Sequence, residues 1–455
     1  MVLPLAGGCA SDADEPQDDM DDLNDPGDAS DPGNDPADPA PEPVAWMRIA
    51  GNGDSLVGDL SADGSRLAFT SQASDLVEGD TNQSADAFVL GRLAMDVERI
   101  SVASGGAQAV GPKNKKYRAE WVTRPQISAD GEAIAFVSRA PNLVADDTNA
   151  AADLFVHRIA DGQTSRANVS SDEREADWDA PRGDLSGDGR FVTFYSHAES
   201  LVADSGCVGI YLRDEMKGTT SLESQTWEGN PDTGCSYWGD GEATISADGS
   251  AIAFSFGGGD LVEDLHSDAI QIYVRDRSGG GSEVISVNSD GDAAAAASTE
   301  PQLSADGVQV AFRSEAANLH GSDENGAADV FVRDRIGGVT ELVSQSSDGE
   351  PADAGSSSHS MSADGRFVVF VSEATNLVDG DDNGVADVFV RDRQTGTTAR
   401  VSAPVTGGDA DGASVAAVIS GDGRVIAFSS AATNLMAGDD NGAIDLFIAP
   451  NPFVK

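Results

Sequence analysis

Apolar and polar positions alternate along this chain in short bursts separated by Gly, Asp, Asn and Ser, the pattern of strands and turns rather than of helices. One burst recurs seven times: DLSADGSRLAFTS from Asp59, QISADGEAIAFVS from Gln126, DLSGDGRFVTFYS from Asp184, TISADGSAIAFSF from Thr244, QLSADGVQVAFRS from Gln302, SMSADGRFVVFVS from Ser360 and VISGDGRVIAFSS from Val418. The turn aspartates Asp63, Asp130, Asp188, Asp248, Asp306, Asp364 and Asp422 are spaced by 67, 58, 60, 58, 58 and 58 residues. Asp-Gly between two β-branched or aromatic runs predicts a hairpin with a primed turn, joining a strand a to a strand b. A second phrase, ADVFVRDRQTGTTARVS from Ala386, recurs as DAFVLGR, DLFVHRI, GIYLRDE, QIYVRDR, DVFVRDR and DLFIAPN, and supplies strand c, a Gly-containing turn and strand d. Repeats that cannot bury their own faces must stack, so the predicted fold is all-β: a seven-bladed β-propeller of four-stranded antiparallel blades.

The ends of the pattern predict how the ring closes. The seventh copy stops after strand c at DLFIAP, while VAWMRIA ahead of the first copy matches the strand d phrase TTARVS, so the N-terminal strand is expected to complete the last blade. Seven units of this length account for residues 44–455 and leave nothing for a second domain.

The S-x-D-G-[RS]-x-[VI]-x-F phrase resembles the repeat of TolB-like, WD-repeat-like propellers of bacterial envelopes, over residues 44–450. That resemblance implies the fold and leaves function open, because such propellers serve as binding platforms, enzyme appendages and enzymes. The blades here exceed the roughly 40–45 residues of a WD repeat, and the extra length falls in the b–c and d–a loops, which share one face.

Composition narrows the partners. The formal net charge is −50, from 78 acidic and 28 basic residues; 13 of the acids lie in residues 10–43, so the remaining 65 still outnumber every base in the chain. Such a field repels phosphate backbones and anionic membrane surfaces, which argues against a nucleic acid partner. No apolar run reaches the roughly 18 residues of a membrane span. Residues 1–9, MVLPLAGGC, resemble the end of a bacterial lipoprotein signal without its basic n-region, which makes Cys9 a candidate lipidation site and a lipid anchor the expected membrane contact. Residues 10–43 are rich in Asp and Pro and read as a disordered, self-repelling tether. Cys207 and Cys235 are left as a pair: a disulfide in an oxidising envelope or extracellular compartment, or two free buried thiols.

The most regular polar pattern lies in the b–c loops: EGDTNQSAD, ADDTNAAAD, GSDENGAAD, DGDDNGVAD and AGDDNGAID. Alternating oxygen side chains around a tight turn suit a hard cation such as Ca2+. In blade six the ligands would be Asp379, Asp381, Asn383 and Asp387, a spacing similar to the calcium loops of integrin-type propellers. Elsewhere the set reduces to Asp80, Asn82 and Asp86 (with Glu78), Asp147, Asn149 and Asp153, Asp323, Asn325 and Asp329, and Asp439, Asn441 and Asp445. The alternative is that Asp and Asn cap the turn through their own backbone. Blades three and four have lost the pattern, and Cys207 sits in the first of these loops.

Aromatic and basic residues gather on the same loop face in blades one to three, where the repeat is least regular. Lys115, Tyr117 and Trp121 fall in the first d–a loop, Trp178 in the second, and Trp227, Tyr237 and Trp238 in the third. Exposed rings of this kind offer stacking faces to a glycan or peptide, or else plug the mouth of the channel. Lys113, Lys116 and Arg118 complete the basic cluster. The repeated Val-Arg-Asp-Arg, as at Val390–Arg393, reads as a structural ion pair beside the c–d turn, since a catalytic group needs one copy. No nucleophile elbow, HExxH helix, P-loop or Ser-His-Asp set is present, and His157, His197, His266, His320 and His359 are scattered over the blades. Glu120, Glu228, Asp240 and Glu242 could supply a glycosidase-type acid pair. The sequence therefore favours a monomeric, non-catalytic binding or scaffold propeller with a glycan or protein ligand, and the rival is a hydrolytic, carbohydrate-active enzyme on the same face. Convergence of isolated His, Glu and Arg residues at the channel mouth would favour the rival.

Overall fold

The computed structural model describes residues 44–111, 122–203, 205, 208–230, 241–257, 261–263, 265, 267, 269–279, 281–321, 323 and 325–454. Among them, 28 strands form seven four-stranded antiparallel sheets, and each sheet is one blade. Blade one is typical: strand a Ser55–Leu60, strand b Arg66–Ser71, strand c Asp86–Gly91 and strand d Asp96–Arg99, in that spatial order. Strands b and c are buried along nearly their whole length, because neighbouring blades cover both of their faces. Their central residues oppose each other as stacked aromatic pairs in all seven blades, from Phe69–Phe88 to Phe428–Phe447, with ring centroids 5.4–5.9 Å apart.

The ring closes as the sequence predicts. Met47–Ile49 pairs antiparallel with Asp445–Pro450, in the register Met47↔Ile448, Arg48↔Phe447, Ile49↔Leu446, and Trp46 packs edge-on to Phe428 at 6.1 Å.

The a–b turn differs from the primed hairpin expected. In blade one Gly64 N–H donates to Ser61 O at 2.9 Å, which puts Ala62 and Asp63, not Asp63 and Gly64, at the central positions. Only Gly64 has positive φ (+65°), whereas a type I′ turn needs it at both central residues. The reason is the serine. Ser61 Oγ donates to Asp63 Oδ1 (2.8 Å) and accepts from Arg66 N–H (3.0 Å), and the same carboxylate accepts from Ser65 N–H (2.9 Å). The clamp recurs in the other six blades, with Gly taking the left-handed position each time.

These turns also meet at the axis. Ala62 N–H donates to Ala129 O, Asp130 to Gly187, Gly187 to Ala247, Ala247 to Ala305, Ala305 to Ala363, Ala363 to Gly421, and Asp422 back to Ala62. The result is a closed circuit of seven inter-blade hydrogen bonds of 2.7–3.3 Å. It explains why the residue between Ser and Asp is always Ala or Gly: a Cβ at Gly421 would meet Ala62 Cα at 3.0 Å.

Candidate functional site: the central channel and the acid clamps

The innermost strands surround a cavity of about 820 Å³. Two positions in each strand a, or immediately ahead of it, line the cavity, and they are places where the repeat fails. The first runs Val57, Arg124, Arg182, Glu242, Glu300, Ser358, Ala416; the second runs Asp59, Gln126, Asp184, Thr244, Gln302, Ser360, Val418. The strands themselves are irregular there, with register shifts in blades one, two, five, six and seven. Such bulges re-aim side chains. Glu300 and Ser358 sit at φ +56° and +46°, a backbone strain that concentrates at functional sites.

The charged groups of the channel are only partly balanced. Arg182 pairs with Glu242, whose second oxygen is buried without a hydrogen bond. Ser358 N–H donates to Glu300 Oε2 at 3.3 Å. Beside them, neither ring nitrogen of His359 completes a hydrogen bond. Burial lowers its pKa against the upward pull of the Glu300 carboxylate and of the Ala311 and Glu300 backbone. Among the described residues, Arg124 makes no ion pair or side-chain hydrogen bond.

Deeper in the channel, burial pushes Asp59 up to about 7, helped by the charge of Asp184, while the N–H groups of Leu60 and Ile127 pull it back. Burial likewise raises Asp184 to about 6 against the N–H groups of Ile245 and Leu185. Both folded pKa values lie above the unfolded one, so the charged forms are disfavoured in the fold, and stability is lost as pH rises from the usual carboxylate range through 6 and 7. A tenfold change in proton affinity between the folded and unfolded chain is worth about 1.4 kcal/mol. Asp59→Asn is therefore expected to stabilise the protein by about 1–3 kcal/mol at pH 8 and to have little effect at pH 4. Urea melts at the two pH values check this; a gain confined to pH 4 would reverse the sign.

In the b–c loops the structure brings together the third, fifth and ninth positions, and it adds a group that the local sequence pattern does not reveal. In blade six Arg400 lies 3.0 Å from Asp381, 3.5 Å from Asp387 and 2.7 Å from Asp409. Arg166 meets Asp147, Asp153 and Glu175 in blade two; Arg99 meets Asp80 and Asp86 in blade one; Arg48 meets Asp439 and Asp445 in blade seven. The asparagines make Asx turns, as Asn383 Oδ1 does with Val385 N–H at 3.0 Å, and donate to the ninth-position acid, as Asn82 does to Asp86 at 2.8 Å. Glu78 and Asp379, at the first position, are exposed and make none of these contacts. The arginine's signal was in the strand d phrases, which carry it in these four blades and Leu222, Val284 or Leu342 in the other three.

Of the loop-face residues, Trp178 and Trp227 are exposed, at 57% and 52%. Trp178 lies 6.0 Å from the His197 ring, and neither indole lines the channel. Lys115, Tyr117, Trp121, Tyr237, Trp238, Cys207, Cys235 and Cys9 lie outside the described residues. The Val-Arg-Asp-Arg residues bind the turns and the preceding blade: Arg366 pairs with Asp392 (2.7 Å), Arg391 donates to Ser346 O (3.2 Å) and Arg393 to Gly365 O (2.6 Å).

No protein-family model and no curated protein matches the sequence. Solved structures are similar in fold. An oligogalacturonate lyase from Vibrio parahaemolyticus is 11% identical, with 90% of this chain and 98% of that one covered at a TM-score of 0.52. A putative TolB from Agrobacterium tumefaciens is 17% identical, over 61% and 78% of the two chains, at 0.38. TolB from Acinetobacter baumannii is 14% identical, over 77% and 64%, at 0.40.

Proposed function

We propose that the chain is a binding propeller of the cell envelope or the extracellular space that takes one end of a glycan or protein ligand into its central channel. The observation supporting this is the failure of the repeat on the channel-facing strands, where Arg124, Arg182, Glu242, Glu300 and His359 lie around one cavity. Residues freed from the repeat in one concave place read as ligand contacts. Arg124, without a partner among the described residues, would receive a carboxylate or another anionic group, Gln126 on the same strand would receive polar groups beside it, and Gln302 would receive them from blade five. The exposed rings of Trp178 and Trp227, with Lys115, Tyr117, Trp121, Tyr237 and Trp238, would extend the contact over the loop face.

A glycan and peptide array tests this with the wild type, Arg124→Ala, and the double variant Trp178→Ala plus Trp227→Ala. Arg124 is exposed in the free protein, and an exposed charge pair is worth up to about 1 kcal/mol, so Arg124→Ala should weaken binding by up to about 5-fold. Equal binding by the wild type and Arg124→Ala would remove the channel from the reading.

A second reading, a hydrolytic enzyme, is favoured by the same convergence of isolated Arg, Glu and His residues on the channel, where the strained Glu300 and Ser358 stand beside the buried imidazole of His359. Cleavage of an array ligand by the wild type, with binding but no cleavage by Glu300→Gln, would establish it.

A further inference from the structure

The acid clamps are not equivalent. Strand pairing puts Arg99, Arg166, Arg400 and Arg48 opposite Phe88, Phe155, Phe389 and Phe447, and in blade five the same place, opposite Phe331, belongs to Leu342. Blades three and four also lack arginine there, with Leu222 and Val284. In those blades the ninth-position acid has gone as well: Gly209 and Gln271 stand in its place. Gln271 satisfies itself through Ser286 (2.5 Å), Ala294 O (2.9 Å) and Ser267 (3.0 Å). Acid and arginine are thus lost together twice, and among the seven blades only blade five keeps the acids without the guanidinium.

What remains in blade five is an uncompensated pair. Asp329 is fully buried and accepts from Ser344 Oγ at 2.6 Å and from Asn325 Nδ2 at 2.7 Å. Asp323 is 5% exposed, and among the described residues no N–H or hydroxyl group donates a hydrogen bond to either of its buried carboxylate oxygens. Its carboxylate faces that of Asp329, close enough for the two like charges to act on each other. The third acid of blade two, Glu175, is replaced at the corresponding bridge by Pro351. A single guanidinium therefore balances two or three acids in the other clamps, whereas here, among the described residues, no cation pairs with the two buried carboxylates, an arrangement proteins resolve by pairing or by a metal ion.

We propose that blade five holds one divalent cation of the Ca2+ class between Asp323 and Asp329, at the place that an arginine guanidinium occupies in blades one, two, six and seven. All-oxygen donors on a turn suit a hard cation, and a charge of two neutralises both carboxylates. Blade five would thus be stapled by an ion where its neighbours are stapled by a side chain. The site lies in a b–c loop, apart from the channel, so it stands or falls independently of the proposed ligand.

The full chain, stripped with EDTA, is titrated with CaCl2 in calorimetry and melted with and without about 1 mM CaCl2, a concentration that fills sites of extracellular affinity. The wild type should bind one equivalent and melt several degrees higher with calcium. Leu342→Arg should bind none and, without calcium, melt at or above the calcium-free wild type. Since Leu342 is fully buried, Asp323→Asn serves as a second probe and should also bind none. Three results would overturn the proposal: no calcium bound by the wild type, which would leave the two acids sharing a proton; one equivalent that survives Asp323→Asn; or several equivalents, which would mean that arginine does not take the ion's place.

Discussion

Arg400→Leu should cost the propeller about 3–5 kcal/mol at pH 8, a fall of roughly 4–6 °C in melting temperature for a chain of this size. The arginine is 10% exposed in its side chain, and the two carboxylates it faces, Asp381 and Asp387, are 3% and 0% exposed. Removing one partner of a buried ion pair leaves the other charge buried and unpaired, which is the expensive way to break it. The pH dependence distinguishes this cause from lost packing. Even beside the guanidinium, burial and the Asp387 charge hold Asp381 up to about 6. Without Arg400 the folded state would disfavour these carboxylates further, so the deficit grows as pH rises through 6 and shrinks towards pH 5. Thermal melts at pH 5 and pH 8 are the check. Equal deficits at the two pH values would mean that the arginine acts through its aliphatic stem alone.

A chain lacking residues 1–49 should fare worse. It would lose the ladder from Met47–Ile49 to Asp445–Pro450, the buried Ile49, the Trp46–Phe428 contact and the arginine that faces Asp439 and Asp445. Strand c of blade seven, apolar and still paired with strand b, would have its outer edge open and able to recruit a second molecule. The expected outcome is a melting temperature lower by more than about 10 °C and soluble oligomers or precipitate on size-exclusion chromatography. A peptide of residues 44–51 added in trans should restore the monomer. A truncated chain that stays monomeric and melts with the intact one would show that the seventh sheet does not need its borrowed strand.

The fold was legible because it is written seven times. The Ser-x-Asp-Gly phrase marks every a–b turn, and the match of VAWMRIA to a strand d phrase, set against a last copy that stops at DLFIAP, located the seam. The turn class was not legible, because Asp-Gly looks the same at the centre of a primed turn and one residue later, and it is the Ser61 hydroxyl that selects the second. Of the polar clamps, the acids were visible as a local pattern and the guanidinium was not. Arg400 comes 13 residues after Asp387, and Arg48 comes from the opposite end of the propeller sequence, 397 residues before Asp445. The channel was missed for another reason. Its two lining positions lie inside or just ahead of the most regular phrase in the protein, where variation reads as noise until the strand bulges turn Glu300 and Ser358 inward.

The circuit of hydrogen bonds among the seven a–b turns has a consequence for how the molecule comes apart. A linear array of repeats frays from its ends, one unit at a time, each loss costing a single interface. Here every turn is tied to two others, and the link from Asp422 back to Ala62 spans 360 residues of chain. No blade is terminal, so none can peel away without opening two links at once. Nor can the last link form until the other six are in place, so its loop-closure entropy is met late. Loss of structure should accordingly be all-or-none across the seven sheets, with amide protons of the Ala/Gly ring exchanging only through global opening.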